Sequence, residues 1–434
     1  MRLKLLILPL FLMTIAKPAD AQTQSPDQDQ IIVKNLKPPT TSQTDVDKTP
    51  ALVRWMFYKQ NRNIQVIVPI LATDPNSGTS IGIMPIWVKQ KKNSDEIQSI
   101  TAPSITENQY FGPEGTYRYY YFPNQYKSFT AIGTIGKYEN EALIEYKNLR
   151  VEDTDTDFDL RLHKNTNAGG LFYGIGQNSA YGNQSSYISH AWSYNVTAGH
   201  SILPGSNWRI EANSHLLSEK VTNGVIPGMP GIKTEFNGAV PQNFEQVQEG
   251  RLSFEYDSRD SEVTTTKGAF LQAYSGYSVR GIASSYNYDR YGIDGRYFYP
   301  WPNHPDNVFA AQIQGQQLYG NAPFWLMPEL GGKYSLRAYA YGRYIDNGMY
   351  AANIEQRFKV YEAKMAGVAT EIEVAPFAGI GSVFANPTDA TARYSRPVFG
   401  TAIRAVARPQ VVGSLDFGVG QEGLAAFMDI NYAF

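Results

Sequence analysis

The side chains of this 434-residue chain that could support chemistry are an acidic run, a Gly-x-Gly segment, five scattered histidines and a Ser-His dipeptide. Glu152, Asp153, Asp155, Asp157 and Asp159 alternate as the oxygen ligands of a calcium loop would. Counted from Asp153, however, Phe158 stands where the loop's sharp turn needs Gly and Lys164 where a bidentate Glu is needed. The run reads instead as an acidic ladder on one strand face. Gly174-Ile175-Gly176 lacks both the strand-to-helix setting and the following Lys of a phosphate-binding loop. His163, His190, His200, His215 and His304 form no close pair and no H-E-x-x-H, so no metal centre is expected. Ser189-His190 comes nearest to a nucleophile and base, but adjacent residues of a strand point to opposite faces, which is the wrong geometry for proton transfer. No cofactor is called for, and an enzyme is not the expected reading.

Composition points the same way. With no Cys there is no thiolate metal site, no Cys nucleophile and no disulfide-stapled scaffold. Lys and Arg number 38 against 40 Asp and Glu, a net charge of −2, which argues against a nucleic-acid surface. Charged residues make up only 18%, while 30 Tyr, 21 Phe, 6 Trp and 37 Gly are present. A mean hydropathy of −0.36 excludes a bundle of apolar membrane helices. It does not exclude a membrane barrel, whose strands alternate apolar and polar residues and average to a soluble-looking value.

The elements that position these side chains begin after a leader. Arg2 and Lys4 precede an apolar stretch from Leu5 to Ala16, and Ala19-Asp20-Ala21 gives an A-x-A cleavage site. Residues 1–21 thus read as a secretory signal. Residues 22–62, rich in Gln, Asp, Thr and Pro, read as a largely disordered periplasmic tail. From there strand periodicity takes over. In the stretch Leu424–Phe434 the even positions Leu424, Ala426, Met428, Ile430, Tyr432 and Phe434 are apolar, while Asp429 and Asn431 lie between them. Alternation over about ten residues is the length of a tilted transmembrane strand. Phe158, Leu160 and Leu162 alternate in the same manner with Asp157, Asp159, Arg161 and His163. A charge facing mid-bilayer costs ~2–4 kcal/mol, so the charged set faces the lumen. Ile81, Ile83 and Trp87 share one face, as do Leu252, Phe254 and Tyr256, and the Tyr-rich run Tyr117–Phe122 suits an interfacial girdle. Residues 63–434 divided among sixteen strands leave about 23 residues for each strand and its connection, and twelve or eighteen strands satisfy the arithmetic as well.

Two blocks carry a family likeness. Asp257-Ser258-Arg259-Asp260 followed by Lys267-Gly268 is similar to a D-x-R-D and K/R-G hairpin. Leu330-Gly331-Gly332, Leu336-Arg337-Ala338-Tyr339, Gly342-Arg343-Tyr344 and the strand Ala352–Phe358 are similar to a G-G loop, a V/L-R-G-F/Y motif and the strand that follows it. Phe172-Tyr173-Gly174-Ile175-Gly176 is a weaker third block. In this order the blocks resemble the bacterial surface antigen superfamily of outer-membrane assembly and translocation barrels (BamA/TamA-like). The resemblance implies an all-β, sixteen-stranded antiparallel transmembrane barrel in the bacterial outer membrane, with one extracellular loop folded into the lumen and its motif Arg337 set against inner-wall acids. The chain departs from the pattern at Ala338, where the family has Gly, and at Gly379 within Phe377-Ala378-Gly379-Ile380-Gly381, where the family has Asp. Glu355 is left as the inner-wall partner of Arg337. Asp257, Arg259, Asp260 and Gly268 are expected to orient a hairpin at the membrane surface. Met428, Ile430, Tyr432 and Phe434 are expected on the lipid face as a C-terminal insertion signal read by the outer-membrane assembly machinery. The tail of residues 22–62 leaves no room for the polypeptide-transport-associated repeats of client-handling relatives, so a separate periplasmic partner protein is expected. The expected function is outer-membrane protein assembly or translocation. A porin-like channel or surface receptor with a plugged lumen is the alternative, and a barrel hydrolase such as a phospholipase the remote one.

Overall fold

A computed structural model describes residues 54–60, 63–92, 97–124, 126–149, 151, 154–236, 240–365, 368–407, 411–430 and 432–434. The signal segment with Ala19 and Ala21, and residues 22–53 of the tail, lie outside them. The end of the tail contains a strand, β1 (Phe57–Gln60), which folds back antiparallel on β2 (Asn63–Asp74).

From β2 a meander runs through β3 (Gly78–Gln90), β4 (Ile97–Thr101) and β5 (Ser104–Asn108), β6 (Gly112–Asn124), β7 (Lys127–Gly136), β8 (Asn140–Asn148), β9 (Thr156–Phe172), β10 (Ser185–Ser201), β11 (Trp208–Asn223), β12 (Glu245–Asp257), β13 (Gly268–Ser278), β14 (Asn287–Trp301) and β15 (His304–Asn321). A long connection holding the two-residue strands β16 (Glu329–Leu330) and β17 (Tyr344–Ile345) follows. The wall then resumes with β18 (Gly348–Met365), β19 (Val368–Phe384), β20 (Arg396–Ala407), β21 (Val411–Gly420) and β22 (Gly423–Ile430). β4 and β5 together make one stave, since both lie between β3 and β6. Neighbouring staves pair antiparallel throughout, and β22 returns to β2 through the pair Thr73 and Met428. The result is a closed barrel of eighteen staves, correcting the expected sixteen. The difference arises near the start, where the six staves between Asn63 and Asn148 are short and joined mostly by tight turns.

The alternation read from the sequence sets the two faces. Ile81, Ile83, Trp87, Leu162, Leu252, Phe254 and Leu424 are exposed on the outside. Of the acidic run, Asp157 and Asp159 on β9 point inward and are paired across strands, Asp155 lies exposed in the turn before β9, and Glu152 and Asp153 lie outside the described residues. Lys147 on β8 lies 3.5 Å from Asp159, Arg209 on β11 pairs with Asp157, and His163 meets Glu141 at 3.1 Å.

The main apolar core is inside the barrel. Phe324, Trp325, Leu326 and Ile345 of the long connection pack against Phe172, Tyr187, Val221, Val247, Tyr288 and Leu318 of the wall. A short helix, α1 (Ile232–Glu235), adds Ile232 to this cluster. A loop that buries aromatic side chains this way is a folded plug, since burial of each contributes about 1.5–3 kcal/mol. The connections at the end opposite the chain termini include the longest ones, residues 173–184, 224–244 and 322–347, whereas those at the other end are shorter. Outer-membrane barrels place long loops outside the cell and short turns in the periplasm, which orients the wall.

Candidate functional site

The plug carries Arg337 to the inner wall on a self-braced turn. Gly331 and Gly332 take positive φ, +133° and +81°, where a side chain would be strained. The Ser335 hydroxyl donates to the Gly331 carbonyl at 2.6 Å, and the Gly332 N–H donates to the Tyr339 carbonyl at 2.8 Å. Ala338, where the family has Gly, does not need positive φ, so its methyl group costs no backbone strain. Leu336 and Tyr339 are buried in a cluster with Leu330, Tyr344 and Val398. The wall makes room at Gly418 of β21, where a Cβ would run into the Arg337 carbonyl.

Arg337 is 1% exposed. Its Nη1 donates to Glu355 Oε2 at 2.7 Å and to Asp416 Oδ1 at 3.0 Å, and the guanidinium lies over the Phe377 ring, 3.7 Å from its centroid. Glu355 on β18 also accepts from both Nη atoms of Arg404 at 2.7 and 2.8 Å, and from Arg357 Nε at 2.8 Å. Three guanidinium groups thus converge on two carboxylates. Charge-assisted forks of this kind are short and directional. Asp416, Arg404 and the role of Arg357 escape sequence reading. Their signal is a lone charge at inward parity in an apolar strand, as in Ala402-Ile403-Arg404-Ala405 and Leu415-Asp416-Phe417.

Gly379 has no carboxylate to offer, and the space its Asp would need is filled. A Cβ on Gly379 would meet Asn353 Oδ1, and Asn353 Nδ2 instead donates to the Ser335 carbonyl of the plug at 2.9 Å. A neutral tether thus replaces the expected acid, and Asp416, two staves away, supplies the second charge.

Two further anchors hold the same loop. Arg343 donates to both oxygens of Glu422 at 2.7 and 2.9 Å and stacks over Tyr173 and Tyr344. Asn76 at the β2–β3 turn exchanges bonds with the Tyr341 backbone at 2.8 and 3.1 Å. The Phe172–Gly176 block takes part as well, since the Gly176 N–H donates to the Ile345 carbonyl at 2.8 Å. Glu329, walled in beneath Gly342, has its carboxyl pushed up to about 8 by desolvation.

The Asp257–Gly268 hairpin lies at the periplasmic end. Arg259 clamps Asp257 at 2.7 and 2.9 Å. Burial acts to raise the Asp260 carboxyl, but the Thr266 hydroxyl and the N–H groups of Thr266 and Lys267 outweigh it and hold the group below its ordinary value. Gly268 has φ +105°, and a Cβ would run into the Ser258 carbonyl. Thr265 of this turn is buried, and its carbonyl accepts from Arg357 at 3.2 Å.

The last residues depart from the expected lipid face. Leu424 is exposed outside and Phe427 buried inside, and the Ile430 side chain lies outside the described residues. Tyr432, however, is buried. Its hydroxyl donates to Glu373 at 2.9 and 3.0 Å, and its ring lies 3.7 Å from the Arg357 guanidinium. The Phe434 main-chain oxygen accepts from Arg357 at 3.0 Å, and its ring packs against Phe298, Val308 and Ala310. Pairing with β21 holds the chain in the sheet as far as Ile430, and beyond it the lumenal groups Glu373 and Arg357 engage Tyr432 and Phe434 on the inside. Ser189 and His190 do face opposite sides, Ser189 donating to Glu219 inside at 2.7 Å and His190 pointing out.

A family model described as the Omp85 superfamily domain matches residues 125–420. The fold is similar to that of BamA from Haemophilus ducreyi lacking POTRA domains 1-3, with a TM-score of 0.53 at 12% identity over 86% of this chain and 71% of that one. CdiB from Acinetobacter baumannii (TM-score 0.42, 10% identity) and CdiB from Escherichia coli (0.47, 8%) also match over 86% of this chain, which spans 60% and 63% of theirs. No curated protein matches the chain by sequence. With the family model covering more than half of its length, and an eighteen-stave barrel around an inward-folded loop, the chain belongs to the Omp85 superfamily.

Proposed function

We propose that this outer-membrane barrel acts in the assembly or translocation of proteins, with the Arg337 loop as a releasable plug and a separate periplasmic protein as its partner. The observation that carries the reading is the way Arg337 is held. Its charge is buried against Glu355 and Asp416 by side chains that water could solvate equally well. Buried ion pairs roughly break even against their hydrated forms, so such a contact fixes a register without a deep energy well.

Planar-bilayer conductance tests the plug. The wild type is expected to stay closed or open briefly, and Arg337→Ala to give larger and longer openings. Large steady openings in the wild type, unchanged by Arg337→Ala, would instead identify a porin-like channel. Crosslinked co-purification from envelopes tests the partner. Recovery of none, together with normal barrel assembly in a deletion strain, would sink the assembly reading.

A further inference from the structure

The outer surface of β9, β10 and β11 breaks its apolar pattern at one height. The register aligns Leu162 with Tyr194 and Leu216, then Lys164 with Trp192 and Ser218, then Thr166 with His190 and Lys220. All share outward parity with the exposed Leu162 and Trp192. His190 is fixed edge-on, with Nε2 3.1 Å from the Thr222 hydroxyl and Nδ1 3.4 Å from that of Thr166. Together with Phe244, which is 53% exposed, these groups line a surface cavity of about 590 Å³ that has no carboxylate in its lining. Neither Lys164 nor Lys220 has an ion-pair partner among the described residues. Glu219, next to Lys220 in sequence, points to the opposite face and accepts from Ser189.

Height along the wall decides what faces this cavity. A barrel strand crosses the hydrocarbon in about 9–11 residues, and counted from Thr156 the crossing ends near Lys164 and Thr166. The cavity therefore lies on the extracellular side, at the level of lipid headgroups. Two strand spacings and one row separate the backbones of Lys164 and Lys220 by roughly 12 Å, which two lysine side chains can close from either side onto one anion. Trp192, between them, offers an amphipathic ring at the interface.

We infer that Lys164, His190 and Lys220, with the hydroxyls of Thr166 and Thr222, form a binding site for the phosphate of a lipid headgroup in the outer leaflet. The ammonium groups neutralise the phosphate, the threonine hydroxyl that accepts the imidazole N–H donates its own hydrogen to a phosphate oxygen, His190 holds the two hydroxyls in place, and Trp192 and Phe244 pack on the lipid's apolar part. Lys164 and Lys220 have no counter-ion among the described residues, and they sit at a level where the membrane supplies anions.

The test uses the full chain in phosphatidylcholine nanodiscs doped equally with phosphatidic acid and the matching diacylglycerol, which differ only in the phosphate. Retained lipid is counted by native mass spectrometry. Wild type is expected to retain phosphatidic acid in preference, and the double variant Lys164→Gln, Lys220→Gln to lose on the order of thirty-fold of that preference, the effect of two basic groups at a membrane surface. Lys89→Gln, at the periplasmic end of β3, should leave the preference unchanged. Heat-modifiability on gels verifies folding. If the double variant does not fold, the exposed single variant Lys164→Gln is read instead, with a several-fold loss expected. Equal retention of the two lipids by wild type, or a preference untouched by the lysine variants, overturns the site. Full displacement of the lipid by inorganic phosphate overturns it in favour of a free-phosphate site.

Discussion

Glu355→Gln removes one charge from a cluster whose arithmetic is already uneven. Arg337, Arg357 and Arg404 meet Glu355 and Asp416, and both oxygens of Glu355 are engaged, the farthest of its four donors at 2.8 Å. With Gln in its place, three buried guanidinium groups face one carboxylate. Removing one partner of a buried pair typically costs about 3–5 kcal/mol, and here one carboxylate serves three. Arg337→Ala should be milder although it removes the motif residue itself. It leaves two guanidinium groups with two carboxylates, Glu355 keeps its fork with Arg404, and the loss is that of charged hydrogen bonds, about 1.5–3 kcal/mol. The double variant should recover part of the Glu355→Gln deficit, giving a coupling of about 1–3 kcal/mol between the sites. Urea unfolding of the barrel, followed by its gel shift on heating, ranks the three proteins. A Glu355→Gln midpoint at or above that of Arg337→Ala, or an additive double variant, would refute a charge-matched lock.

Three further outcomes are expected. Glu329 ionises near 4.5 in water but near 8 when docked, so the docked plug holds the proton more tightly. Its stabilisation is complete below about 4.5 and is lost as pH rises toward 8, so open probability in bilayers should climb across that window and stay flat in Glu329→Gln. Restoring the family acid by Gly379→Asp alone should destabilise the plug, because the new Cβ meets Asn353; pairing it with Asn353→Gly should relieve the clash, and equal melting temperatures for the single and double variants would contradict this. Gly268→Ala should lower barrel stability by more than 1 kcal/mol, as positive φ and the Ser258 carbonyl both oppose a methyl group, and an unchanged urea midpoint would argue against it.

What could be read from the sequence follows the range of the interactions involved. Alternation within a strand is local, so the outward row of Leu162, Leu252 and Leu424 and the inward row of Asp157, Asp159 and His163 were visible without a fold. The hairpin at Gly268 was visible for the same reason. Stave number was not, since dividing the length by a strand count assumes an even share for every stave, and the first six are on average shorter than the staves that follow. Asp416 and Arg404 could not be assigned to Arg337, because only strand order and register bring residues so far apart in the chain to one point. Gly379 shows the limit of motif reading, since an absent acid looks like a lost contact until Asn353 is seen bonded to the plug. Tyr432 and Phe434 show the limit of parity, which predicts a face only while the residue stays in the sheet.

The join between β2 and β22 has a kinetic meaning. Along that edge β1 covers Asn63 to Val66, the Ile67 N–H donates to the Met56 carbonyl at 2.7 Å, and Thr73 meets Met428. Between these points the described strands form no pair. Amides there depend on one neighbour instead of two, so in deuterated buffer they should exchange well before those of β10, which is laddered on both sides. The ring would part first by peeling at this stretch, with the pair Thr73 and Met428 as the contact that must then give way.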